Sequence, residues 1–490
     1  MGDDRDQSSS QSLRDEEIND MNRELQLEAQ GDIELTDSEG EDEFIRKYGD
    51  VQFQYIKRPK DAVWFIKPHA LNYFKDGVLY RTKGERSSSK TELFLDLMYV
   101  GIIANLAGDA TENASWGALL KYILVFIGIW TVWCDIKDFT NYYYNEDLSQ
   151  KTYILWILIL LTIICNNTAN LLEGRKGAEY VIIPYILCRF SLCISNFVYS
   201  FWIEEHRAQQ RLYSATLFVT CCLWIIVIFV DTRTKIALSF VFYFLEQLSF
   251  MVCYHPRTKK LMGLTTSTAL NIEHEVERFS VFVTIAIGEY LYKIVADSPL
   301  GAEIQDHFWR GILILIIAYV IFWIYNYGST SKKATHALRH SGLRAIAWIY
   351  AHLPLVAGIV LSADAAGDLC KHDEISIIER REEEGGGIEE PEEPSIQAVK
   401  FFFTGGIFVA LSALTLLGFL DEPKDSKDLH IVSRFWRVIF RFPAGVIILC
   451  LPFADISITL LLGITTIVLV VLLVWESVTS TPRKCLPGYS

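Results

Sequence analysis

Apolar and polar positions alternate along this chain in long blocks, not at the two-residue period of a half-buried strand. Twelve predominantly apolar segments fall at about 91–110, 116–134, 151–172, 179–202, 213–230, 235–254, 274–296, 307–327, 344–363, 397–420, 434–453 and 456–475. Each is close to the ~20 residues that a membrane-spanning helix needs. The pattern predicts an all-α fold, a polytopic helical membrane protein of about 12 spans. With an even number of spans both termini share a side. The loops on that side collect bases, among them Arg86, Lys90, Arg211, Lys259, Lys260, Lys332, Lys333 and Arg434. Basic loops stay in the cytosol, so cytosolic N- and C-termini are expected, with the plasma membrane as the host membrane. The segments divide six and six. The first and seventh open alike, on Glu92-Leu93-Phe94 and Glu277-Arg278-Phe279, as in a 6+6 parallel repeat with a site between its halves.

The flanks change how the net charge is understood. Residues 1–50 hold 17 acids against 5 bases and residues 371–396 hold 10 against 3, together −19 against a chain total of −14. The remainder is therefore weakly basic, and no protein-wide acidic field exists. Residues 1–50 have no apolar period to bury and read as a disordered acidic cytosolic tail without the h-region of a signal peptide. Residues 51–90 mix aromatics with turn signals such as Asp76-Gly77 and read as a pre-membrane collar. The membrane domain is expected over 91–475, with 371–396 as an acidic outer loop and 476–490 as a cytosolic tail. Asn113-Ala114-Ser115 then lies outside as a glycosylation sequon. Seven of the ten cysteines sit inside apolar runs with no CxxC spacing, which reads as small buried hydrophobes.

Charges inside apolar segments carry the chemistry, because an ionisable group in a bilayer must face the bundle interior, a partner or water. Glu92 and Asp96 are i and i+4 on one helical face. Glu92 serves equally well as an N-terminal acid favoured by the helix dipole. In HEVERFSVFVTIAIGEY, Glu277 and Arg278 are followed eleven residues later by Glu289, close to three turns on and with no adjacent base. Arg278 is expected to pair with Glu277 or Glu92, either as a bundle tie or in a substrate path. Arg189 and Glu246, each near mid-span, are expected to form a structural ion pair. His352, two residues before Pro354, fits a proton relay or a cap on a freed carbonyl. His274-Glu275-Val276-Glu277 lacks a second histidine, so no metal site is expected. Neither a catalytic triad nor a nucleotide fingerprint is present, which gives no cofactor call and weighs against an enzyme. Bases are scattered over loops and do not form a nucleic-acid surface.

TELFLDLMYVGIIANLA, HEVERFSVFVTIAIGE and YAHLPLVAGIVL together resemble the low temperature requirement A (LtrA) family of multipass membrane proteins. The resemblance runs from about Glu92 to Trp475. It rests on Glu92, Phe94 and Asp96, on Glu277, Arg278, Phe279, Gly288 and Glu289, and on His352, Pro354 and Gly358. It implies an all-helical membrane fold; the acidic tail and the glutamate-rich insert depart from the pattern.

These readings converge on a transporter or channel. Its path would pass Glu92, Asp96, Glu277, Arg278, Glu289 and His352, and it would carry protons, or an ion or small solute coupled to them. The expected partners are the lipid bilayer and that ion or solute, and a homodimer is compatible. A membrane-embedded lipid or isoprenoid enzyme, and a sensor or scaffold signalling through the acidic tail, are the alternatives.

Overall fold

Twelve long helices account for the membrane domain: α1 Lys90–Glu112, α2 Trp116–Tyr143, α3 Leu148–Cys165, α4 Arg175–Tyr199, α5 Arg207–Phe229, α6 Thr232–Tyr254, α7 Ile272–Val295, α8 Asp306–Tyr327, α9 Gly342–Lys371, α10 Ile396–Leu420, α11 Arg434–Phe453 and α12 Ile458–Thr479. The computed structural model describes residues 33–34, 53–56, 64–82, 86–143, 145–172, 174–296, 304–328, 334–340, 342–372, 396–423, 430–454 and 456–482. The expected tail at 1–50, apart from Ile33–Glu34, lies outside the described residues, as do 373–395 of the acidic loop and 483–490 at the C-terminal end.

Eleven of these helices are long and apolar enough to cross a membrane. The twelfth, α7, matches them in length at 24 residues but carries Glu273, Glu275, Glu277, Arg278, Glu289 and Lys293. Such a helix persists in lipid only where its neighbours cover it. The outward faces are apolar: on α1, Phe94 is 54% and Leu97 58% exposed, whereas Glu92 and Asp96 are fully buried. The bundle thus has lipid-facing hydrocarbon outside and charge inside.

Helix starts follow from local capping. Ser89 and Glu92 form a capping box at α1, Asp147 caps α3, Asp231 caps α6, Asn271 caps α7 and Ser457 caps α12. Each supplies an acceptor to one of the N–H groups that a helix start leaves unbonded.

Helix adjacency repeats with an offset of six. In the first half α1 packs on α2 and α3, α3 on α4, α4 on α5, α5 on α6, and α2 on α6. In the second, α7 packs on α8 and α9, α9 on α10, α10 on α11, α11 on α12, and α8 on α12. The halves meet where α1 and α2 touch α7 and α9. Closest approach within the second half is between α9 and α10. There a Cβ placed on Gly358 would lie 2.6 Å from the Gly406 carbonyl oxygen, and the converse distance is the same. Without a hydrophobic driving force between helices in lipid, such small-residue contacts let dispersion hold them.

A small sheet covers one end of the bundle, hereafter the sheet face. Strands β1 Ile33–Glu34, β2 Phe53–Ile56, β3 Asn72–Lys75, β4 Val78–Thr82 and β5 Thr266–Thr268 run in the order β1-β2-β4-β3-β5. Strands β3 and β4 form a two-residue hairpin in which Asp76 and Gly77 both have positive φ, as the Asp-Gly pair predicts. Strand β5 comes from the segment leading into α7, and pairs Tyr73 with Thr268 and Lys75 with Thr266. Around it, the Leu71 N–H donates to the Tyr142 carbonyl (3.2 Å), the Ile66 N–H to Asp147 (2.8 Å), and Arg81 pairs with Glu273 (3.1 Å).

Candidate functional site

Where the halves meet at the sheet face, α1, α2 and α7 bring their charges together. Asp96 and Arg278 form a two-pronged ion pair, with Nη1 2.6 Å from Oδ2 and Nη2 2.8 Å from Oδ1. The Trp133 indole N–H donates to Asp96 Oδ1 at 2.9 Å. All three side chains are buried. A planar guanidinium held edge-on by a carboxylate is the strongest geometry available to such a pair.

Arg278 therefore takes Asp96 as its partner, not Glu277 or Glu92 as the spacing suggested. The reason lies one helix turn upstream, where both glutamates are already engaged. Glu92 Oε1 lies 3.1 Å from His274 Nε2 and 3.6 Å from Arg86 Nη2, while Oε2 accepts the Ser89 N–H of the capping box at 2.9 Å. Glu277, half-buried, accepts the Ser88 N–H at 3.1 Å. Lys137 of α2, pairing with Glu275 and with Asp138 (2.7 Å), completes the layer. Beside it Asn141 and Asn271 exchange hydrogen bonds of 3.0 and 2.9 Å.

Sequence reasoning missed Lys137, Glu275 and Asp135 as site members. Helix α2 was expected to end near 134, which would leave 135–138 in a loop; it continues to Tyr143 and carries these charges into the bundle. The available signal was the aromatic run that follows at 139–143, Phe139, Tyr142 and Tyr143, all buried against α4 and α5.

His352 lies deeper, packed against Phe279 and Trp348 at ring separations of 4.4 and 4.3 Å. Its Nδ1 is 2.8 Å from the Trp348 carbonyl oxygen, and its Nε2 is 3.2 Å from the Tyr325 hydroxyl. A carbonyl only accepts, so Nδ1 carries the proton and Nε2 accepts from Tyr325. The carbonyl that Pro354 deprives of its helical donor is that of Tyr350, so the imidazole does not cap the freed group.

Toward the other end of the halves' boundary, Lys293 of α7 and Thr111 of α1 both bond Asp364 of α9. Glu289 stands one turn before Lys293 on α7. Its Oε2 is buried and accepts no hydrogen bond among the described residues. The structure thus brings Glu92, Asp96, Glu277 and Arg278 into one layer, sets Glu289 apart from it further along α7, and places His352 inside the second half among α7, α8 and α9.

Arg189 and Glu246 meet inside the first half, Nε to Oε1 at 3.5 Å, but Asp135 is the closer partner of the guanidinium. Glu246 also accepts from the Tyr185 hydroxyl (2.6 Å) and the Trp224 indole (3.0 Å). The second half has its own clamp on the matching helix: Arg441 holds Glu476 of α12 through bonds of 2.6 and 2.7 Å. Asn113 is exposed just beyond the end of α1. Among the described residues no group of three or more His, Cys, Asp or Glu side chains is arranged to hold a metal ion.

Fold and site together define a polytopic membrane protein with a layer of buried charge where its halves meet. The family described as bacterial low temperature requirement A protein (LtrA) matches residues 87–475, and the chain belongs to that family. An uncharacterized protein of Rhizobium meliloti (strain 1021) is 23% identical over 290 residues, covering 57% of this chain and 68% of that protein. No solved structure matches the chain.

Proposed function

We propose that this protein is a transporter or channel for protons, or for an ion or small solute coupled to protons, working along the boundary between its two six-helix halves. The observation that carries this reading is Glu289. Its carboxylate is held on the most charged helix of the bundle, with one oxygen buried and unbonded among the described residues, one turn from the Lys293–Asp364 pair. A group so placed can take up and give up a proton without dismantling a structural pair. The Asp96–Arg278 pair lies on the same boundary, and His352 packs behind it on Phe279; both would continue the path toward the sheet face. The excess of basic loops at that face supports cytosolic termini.

Purified protein reconstituted in liposomes tests the reading by measuring proton, cation, anion and solute flux. Flux that falls at least tenfold in Glu289→Gln supports it. No flux of any kind, or flux unchanged by Glu289→Gln, overturns it.

A second reading, a sensor with output through the N-terminal segment, is favoured by one observation: Ile33–Glu34 adds a strand to the sheet over the helix ends. Deleting residues 1–50 would then abolish signalling while sparing any flux.

A further inference from the structure

Among the eleven helices apolar enough to span a membrane, α6 is the least covered by its neighbours, with 28% of its most apolar stretch buried. Its outward stripe of Val241, Phe244, Leu245, Leu248 and Val252 follows one helical face to within two residues of the end at Tyr254. That stripe faces lipid hydrocarbon. The chain just beyond Tyr254, which runs on into β5 of the sheet, therefore lies at the level of the lipid headgroups. A built turn stands there. His255 starts a short helix, Pro256–Leu261, by accepting the Arg257 N–H on its ring at 3.0 Å. Gly263, with φ +64°, closes it: its N–H meets the Lys260 carbonyl (3.2 Å), and the Leu264 N–H meets that of Lys259 (3.1 Å). This paired closure of a helix end fixes the turn in one shape.

The turn carries Arg257, Lys259 and Lys260 within four positions, and residues 255–270 contain no acid. Lys259 donates to the Ser267 hydroxyl of β5 at 3.0 Å, and none of the three meets a carboxylate among the described residues. Beside them Leu261 is 89% exposed and Met262 is exposed as well. Apolar side chains held outward next to unpaired bases suit the boundary where acyl chains give way to phosphates. Met262 and Leu264 also form one wall of an open groove of about 590 Å³, whose other wall is the start of α5 with Arg207 and Arg211. Arg211 is braced there by its Nε, which donates to Ser200 Oγ at 3.1 Å, and by the Phe201 ring, 5.2 Å beneath its guanidinium. Glu204 answers Arg207 at 3.0 Å, and Glu205 is the second acid on the groove. Groove and turn together hold five bases against two acids, a surplus of three positive charges.

From this placement we propose that the turn at 255–264 and the groove beside it bind the headgroup of an anionic glycerophospholipid drawn from the surrounding bilayer. The bases take the phosphate and the headgroup's second negative group, and Leu261 enters the acyl layer. A lipid suits the site better than a soluble anion, because the site continues the hydrocarbon stripe of α6 and Leu261 offers a soluble anion nothing. A zwitterionic lipid would leave the positive surplus unanswered. The site stands at the sheet face, away from Glu289, so either assignment can fail without the other.

The test uses the full chain in detergent micelles doped with phosphatidylserine or phosphatidylcholine, and reads the melting midpoint. The midpoint is expected to rise saturably with phosphatidylserine and to stay flat with phosphatidylcholine. Replacing Arg257, Lys259 and Lys260 together by Gln should raise the half-saturating mole fraction at least tenfold. Replacing Lys67, Lys90 and Lys151 by Gln removes the same charge elsewhere on the sheet face and should leave it within twofold. Leu261→Ser keeps every charge and should weaken the lipid several-fold. Arg257 and Lys260 are exposed, so Lys260→Gln alone, with an expected threefold effect, decides the matter if the triple variant fails to fold. Equal responses to the two lipids overturn the proposal. So do equal effects of the two triple variants, which would mean diffuse attraction to the face, or, where the first does not fold, no effect of Lys260→Gln. Soluble glycerophosphoserine that reproduces the rise at the same concentration, or a lipid response that Leu261→Ser leaves unchanged, would mean a free-anion site and overturns the lipid assignment.

Discussion

At the sheet-face end of α7, Arg278 has both prongs on Asp96 and Asp96 has Trp133 besides. Eleven residues on, about 16 Å along the helix axis, Glu289 keeps a buried oxygen with no donor among the described residues. Both carboxylates sit on one boundary between the same two halves. The difference teaches where to look for work in such a protein. A carboxylate with donors on both oxygens has been spent on holding helices together, whereas one with a buried oxygen that meets no donor can change protonation at little structural cost. Asp96 is the more deeply buried of the two and, on this argument, the less suited to shuttle a proton.

The comparison breaks first at Arg278. Arg278→Ala strands Asp96 in the interior and should cost about 3–5 kcal/mol, the range for half of a buried pair. Loss of monodisperse protein in size-exclusion chromatography would report it. Replacing both partners together, Asp96→Leu with Arg278→Met, should recover most of that loss. Glu246→Gln should cost less, about 1–3 kcal/mol, because Asp135 still neutralises Arg189; a thermal melt of the purified variant measures it.

The layer around the sheet also holds a matched neutral group. His206, just ahead of α5, is fully buried with its ring nitrogens 3.2 Å from the Tyr143 hydroxyl and 3.3 Å from the Asn72 carbonyl oxygen. Burial pushes its pKa down to about 3. A depressed value means that the folded state refuses a proton the unfolded chain accepts. Stability is therefore complete above the unfolded pKa near 6.5 and falls by up to about 1.4 kcal/mol per pH unit below it, until about pH 3. Melting between pH 7 and 5 should show this slope, flattened in His206→Gln. The smallest change is expected at Glu289: Glu289→Gln should move stability by no more than about 0.5 kcal/mol. A larger loss in the same melting assay would mean that Glu289 is a tie like Asp96.

Helix existence was legible in the chain because lipid demands ~20 apolar residues per span, and all twelve expected segments overlap observed helices. Their ends were less so. Helix α3 stops at Cys165, with Asn166 as its cap, and not near 172, because the asparagine side chain satisfies a terminal carbonyl. The overlong α2 hid Lys137 for the opposite reason: its charges are paid off by Glu275 across the boundary, a partner 138 residues away. Which residues are charged and buried could be read from hydropathy. Which acid meets which base could not, since Glu92, Asp96 and Glu277 are all within reach of α7 by spacing, and only the capping of Glu92 and the backbone bond to Glu277 leave Asp96 for Arg278.

The pairing of β3 with β5 has a mechanical consequence. Strand β3 leads into the first half and β5 into the second, and the two are zipped by three residue pairs. Any motion that spread the halves at this end would have to tear that ladder, whereas at the opposite end, among the described residues, the halves are tied by side chains such as Thr111 on Asp364 and by no strand pairing. The molecule is built like a clothes peg, sprung at the sheet and held at the jaws only by side chains, and the jaws are where Glu289, Lys293 and Asp364 stand.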